Sequence, residues 1–154
     1  MKLKSLLPSI GLAGALAFAP DISGASRGIR NNNPGNIVKS SIQWKGAVGN
    51  DGSFVKFATP EDGIRAMART IRVYGSKYNL NTISQIISRW SPPSENQTAK
   101  YIEFVSKKMN RKPDERLNLQ DNNELATLLM SIIQFENGSL PYSKETIIKG
   151  IEKA

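Results

Sequence analysis

Apolar positions along the chain follow two periods, and the change of period falls where turn residues cluster. Over residues 42–57 the pattern alternates, with Trp44 and then Phe54, Val55 and Phe57 set around Gly49-Asn50-Asp51-Gly52. Alternation interrupted by an Asp-Gly pair predicts two short strands joined as a hairpin. From Thr59 onward the apolar spacing becomes three and four, which is the helical period. Thr59 is a predicted cap, with Pro60 at the first helical position and Glu61 and Asp62 in the first turn. The inner face of that helix reads Ile64, Met67, Ala68, Ile71, Gly75 and Tyr78. A short second helix carries Ile83, Ile86, Ile87 and Trp90 until Ser91-Pro92-Pro93 stops it. Trp90 lies on the apolar face and reads as core. A third helix presents Tyr101, Ile102, Val105 and Met109. Asp121 with Glu124 forms a capping-box-like start to a fourth. Ser143 opens a last helix with Ile147, Ile148 and Ile151 turned inward.

The front of the chain departs from this pattern. Residues 27–41 are dense in Asn, Gly and Pro and read as loop. Met1 to Ser26 reads as a targeting segment: Lys2 and Lys4, a stretch rich in small and apolar residues to Pro20, then Ser23 and Ala25 placed for cleavage before Ser26. Three outcomes stay open for it: removal after export, retention as a membrane or virion anchor, or an ordinary N-terminal helix. The predicted organisation is therefore a signal or anchor over 1–26 and one domain over 27–154. Its fold class is α+β, a mostly helical body with one small β-hairpin.

Composition narrows the chemistry. The 154 residues include no His and no Cys. That removes a Ser-His-Asp triad, a thiol nucleophile, a disulfide framework and a His- or Cys-ligated zinc site. No metal and no cofactor are expected, and proton transfer falls to carboxylates. The net charge is +8. The domain without its first 26 residues keeps 19 basic against 12 acidic residues, +7, so the basic character belongs to the fold. Such a charge favours an anionic partner without choosing one. No nucleic-acid partner is expected, because neither a basic helix nor an aromatic-basic strand is present.

One carboxylate breaks its pattern. The fourth helix has an apolar stripe of Leu125, Leu128, Leu129, Ile132 and Ile133, and the next position on that stripe is Glu136. Asn137-Gly138 follows, and Gly138 suits a left-handed helix end. Burial and the negative end of the helix dipole both favour the uncharged acid, which is the form that glycosidic cleavage needs from its general acid. The other reading turns Glu136 out to solvent beside a lysine. Glu61, Asp62 and Glu124 are explained by helix starts, and Glu95 sits in a Pro/Ser/Asn loop. Asp51 reads first as a turn residue and second as the candidate second carboxylate of a glycosidase.

The run Ser131-Ile-Ile-Gln-Phe-Glu136-Asn-Gly-Ser-Leu-Pro141 resembles the catalytic helix end of lysozyme-like transglycosylases, where an apolar helix finishes in Glu-Ser-Gly; Asn137 stands in the Ser place. Asn31-Asn-Asn-Pro-Gly-Asn-Ile37, Trp44-x-Gly46 and Phe54 to Ile64 are similar to segments of bacterial glucosaminidases. Ser94-Glu-Asn-Gln-Thr-x-x-Tyr101 is similar to their segment with a cleft tyrosine. The order differs, since here the Glu helix comes near the end. That resembles a circular permutation, as in virion-associated transglycosylase-like proteins of bacteriophages. The likeness spans nearly all of residues 27–151.

The resemblance implies a lysozyme-like fold, with Glu136 as acid/base and Tyr101 positioning substrate. Asn33, Gly35, Asn36 and Ile37 would line a sugar cleft, with Asn137 beside them. It implies a peptidoglycan lytic transglycosylase or muramidase cleaving between N-acetylmuramic acid and N-acetylglucosamine, located in a virion or exported to the periplasm or envelope. The partner is then the peptidoglycan glycan strand, with membrane or virion association through residues 1–26. The rival is a non-catalytic virion component that keeps the fold for wall binding or assembly.

Overall fold

The computed structural model describes residues 25–92 and 97–154. Most of the expected targeting segment, Pro93 of the helix stop and Ser94, Glu95 and Asn96 of the tyrosine segment lie outside the described residues. In chain order the elements are α1 (Arg27–Arg30), β1 (Ala47–Asn50), β2 (Val55–Phe57), α2 (Pro60–Tyr78), α3 (Ile83–Trp90), α4 (Thr98–Met109), α5 (Asn122–Asn137) and α6 (Lys144–Glu152). The described chain is thus mostly helical with one two-stranded antiparallel hairpin, as the pattern predicted.

The helices begin where their capping chemistry allows. The Thr59 hydroxyl accepts from the Asp62 amide, and Pro60 leaves no amide unsatisfied at the first position. At α3, Thr82 and Gln85 form a reciprocal capping box. At α5 the expected box does not close. Asp121 accepts from the amides of Asn123 and Glu124, but the Glu124 carboxylate turns to Arg111 and the Asn118 amide. A guanidinium arriving from the α4–α5 connection outcompetes a local amide for the charge.

The inner face of α2 buries Ile64, Met67, Ala68, Ile71 and Tyr74. Tyr74, three residues past Ile71, takes the core place that the sequence reading gave to Tyr78, which is only half-buried. The stripe of α5 is buried throughout, and its side chains meet those of α2, α4 and α6 in one core. Each fully buried Leu or Ile contributes about 1.5–3 kcal/mol, so this stripe is a large part of the apolar core. Trp90 is fully buried, in keeping with its reading as core.

The front of the domain differs from its sequence reading in two ways. The stretch read as loop opens with one helical turn, α1, which Ser26 caps. The hairpin strands are shorter than the alternation suggested. β1 begins only at Ala47, so Trp44 lies in the loop before it, and Gly46 takes φ 80 where a side chain would collide with Asp62. A bulge between Ala47 and Gly49 shifts the register to Ala47 opposite Phe57 and Asn50 opposite Val55.

Candidate functional site

The site is assembled from the two ends of the described chain. The apolar stripe of α5 carries Glu136 inward at its last turn, where the residue is 1% exposed. Gly138 ends the helix at φ 70, a conformation that costs glycine little. Opposite stands the Asn-rich loop after α1. Asn32 and Asn36 both take left-handed backbone, at φ 50 and φ 52, which asparagine tolerates better than most side chains. This explains part of the Asn density that the sequence shows over residues 31–36.

Asn36 is the loop residue that reaches the carboxylate. Its Nδ2 donates to Glu136 Oε1 at 3.2 Å, and both residues are buried. Its Oδ1 is buried without a hydrogen bond to protein. An open acceptor therefore lies beside the acid. Tyr101, from α4, completes the group. Burial, and after it the negative charge of Glu136, push the Tyr101 phenol well above its ordinary pKa, so it remains a donor near the carboxylate. Its ring stacks on Phe135 at a centroid distance of 3.9 Å.

Asn137 pins the pieces together. Its Nδ2 donates to Pro34 O at 2.7 Å and Ile133 O at 2.9 Å, and its Oδ1 accepts from the Ser26 hydroxyl at 2.6 Å. A longer side chain than serine makes that triple contact possible. Gly28 allows α1 to come this close: a Cβ there would lie 2.6 Å from Asn137 Oδ1 and 2.8 Å from Asn36 Oδ1.

Other predicted site residues serve the frame. Asn33 donates to the carbonyls of Ile37 and Val55 and accepts from the Ile37 amide, so its polar atoms hold the loop to β2. Ile37 is core, and Gly35 lies against Met67 and Trp90. Asp51 sits at the hairpin tip, bonded to the Arg27 and Asn31 side chains and to the amides of Ser53 and Phe54. Partial burial alone would raise its pKa, but these donors, Arg27 first, outweigh burial and hold the carboxyl well below the usual range. Asp51 thus joins the hairpin to α1, and α1 reaches Asn137 through Ser26. Sequence reasoning missed Ser26, Gly28 and Arg27. A Ser two residues before a Gly in a polar run was their only signal, and it is a weak one.

Fold and site together define a small α+β domain with a buried carboxylate at the end of an apolar helix, held by an Asn-rich loop. No protein-family profile matches the chain. It is 40% identical over 156 residues to Protein P5 of Pseudoalteromonas phage PM2, covering 98% of this chain and 96% of that protein. The chain belongs to the family of that phage protein.

Proposed function

We propose that this protein cleaves the glycan strand of peptidoglycan between N-acetylmuramic acid and N-acetylglucosamine, with Glu136 as its single acid/base. The observation that carries the reading is the Asn36–Glu136 contact: a buried carboxyl group beside a buried amide oxygen that has no protein partner. Glu136 gives its proton to the glycosidic oxygen as the C1–O bond breaks. It then takes the proton of the muramyl 6-hydroxyl while that oxygen bonds to C1, closing an anhydro ring without water. In this reading Asn36 Oδ1 accepts from a substrate N–H or O–H, and Tyr101 steadies the carboxylate. The four donors that occupy Asp51 support this route over one that uses Asp51 as a base for hydrolytic water. Kinship with a phage protein supports a role in wall penetration by a virion.

Purified walls incubated with the full chain should yield anhydro-muramyl products by mass spectrometry. Glu136→Gln should yield none while its circular dichroism and urea midpoint show a folded protein. Products from the variant, or none from the wild type, would end the assignment. The near-complete burial of Glu136 and Asn36 favours a second reading, a non-catalytic virion component in which the same contacts only hold the loop. Under that reading neither protein releases products.

A further inference from the structure

A concavity of about 370 Å³ lies between the C-terminal half of α2, the α2–α3 turn and residues 116–120. Arg72 and Arg116 line it, with Ser76, Asn81, Asn118 and Gln120, and no carboxylate is among its lining residues. Arg72 is fixed in place. Its Nε donates to Leu119 O at 3.1 Å and its Nη2 to Asn122 Oδ1 at 2.7 Å, which leaves other guanidinium donors for a ligand. Arg116 is exposed, and its side chain forms no ion pair among the described residues.

The neutral lining separates two kinds of anion. Asn118 spends its Oδ1 on the Gln120 amide, leaving its Nδ2 as a donor. Asn81 spends its Nδ2 on Asn79 Oδ1, leaving its own Oδ1 as an acceptor. A sulfate, which carries no proton at neutral pH, offers no donor to that acceptor. A peptide ending in a carboxylate offers both, an anion for the arginines and amide N–H groups for Asn81.

We infer that this concavity binds the free carboxylate and adjoining amide of a short peptide, the chemistry that peptidoglycan stems present. The choice of ligand rests on the wall-cleaving reading above. Asn122, which holds Arg72, opens α5, and Glu136 lies in its last turn, about 21 Å away at 1.5 Å per residue. The concavity is therefore separate from the carboxylate site and would grip a stem at a distance from the bond cut.

Binding is measured in full-length Glu136→Gln protein by sedimentation with purified walls, so that no cleavage intervenes. Arg116→Glu should lower the bound fraction at least fivefold relative to Lys149→Glu, which makes the same charge change on an exposed lysine of α6. A soluble stem tetrapeptide should compete with walls, and its methyl ester should not. Arg72→Lys, which keeps the charge but loses the fork, should weaken competition while the urea midpoint reports folding. Equal losses in the Arg116 and Lys149 variants, or an ester as effective as the acid, would overturn the proposal. Neither readout depends on catalysis, so failure of the cleavage assay is seen separately.

Discussion

Asp51 owes its low pKa to four donors that overcome partial burial, and this makes its contribution to stability depend on pH. The folded-state pKa lies below the unfolded one, near 3.9. Stabilisation is complete above about pH 3.9 and falls away as pH drops below it. Asp51→Asn should cost about 1–3 kcal/mol at neutral pH in urea unfolding, because an amide replaces the oxygen that faces Arg27 and Asn31. The gap between the two proteins should narrow by about pH 2.5; an unchanged gap would refute the linkage. Gly28 acts by its lack of a side chain. Gly28→Ala would push a methyl into Asn36 and Asn137, and should destabilise by about 1–3 kcal/mol. Wall cleavage should fall more than that loss explains, when compared at a temperature where both proteins are folded.

Among elements, α2 and α6 pack closely because α6 presents Gly150 at the contact. A Cβ there would lie 2.5 Å from Ile64 Cγ2 and 2.6 Å from Ile64 Cβ, both close to the α2 backbone, with the Glu61 carbonyl oxygen at 3.0 Å. At the N-terminal end of α2, a Cβ on Gly63 would lie 2.0 Å from the Asn32 carbonyl oxygen, which is backbone. Gly63→Ala should therefore lower the urea midpoint more than Gly150→Ala, with the latter costing about 1–3 kcal/mol. The reverse order would mean that the α1–loop unit yields more easily than the helix pair. The helix starts at Thr59, Asp121 and Ser143 were legible, since each cap acts on amides two or three residues away, whereas the Thr82 cap of α3 was not read. The partner of Glu124 was not legible, because Arg111 comes from outside that helix.

At the scale of the molecule, the net charge of +8 favours an anionic partner, which under the proposed function is the wall. Electrostatic attraction to an anionic polymer is screened within about 3 Å at 1 M salt, against about 10 Å at 0.1 M. Sedimentation of the Glu136→Gln protein with walls should decline steeply across that range. Binding that ignores salt would assign the contact to apolar or hydrogen-bonded surfaces. The apolar periods by themselves determined the five longer helices and the hairpin, and put Glu136 in line with the stripe of α5, because which face of an element is buried depends on residues three, four or two apart. That Glu136 turns inward rather than to solvent was decided by the tertiary structure. Zero His and Cys likewise confined any proton transfer to groups such as this carboxylate. Only the tertiary structure decided that Asn36 meets Glu136, that Ser26 and Gly28 close against Asn137, and that Asp51 is held by Arg27. The first two join positions about a hundred residues apart in the chain, and all depend on how loops dock, which no local spacing encodes.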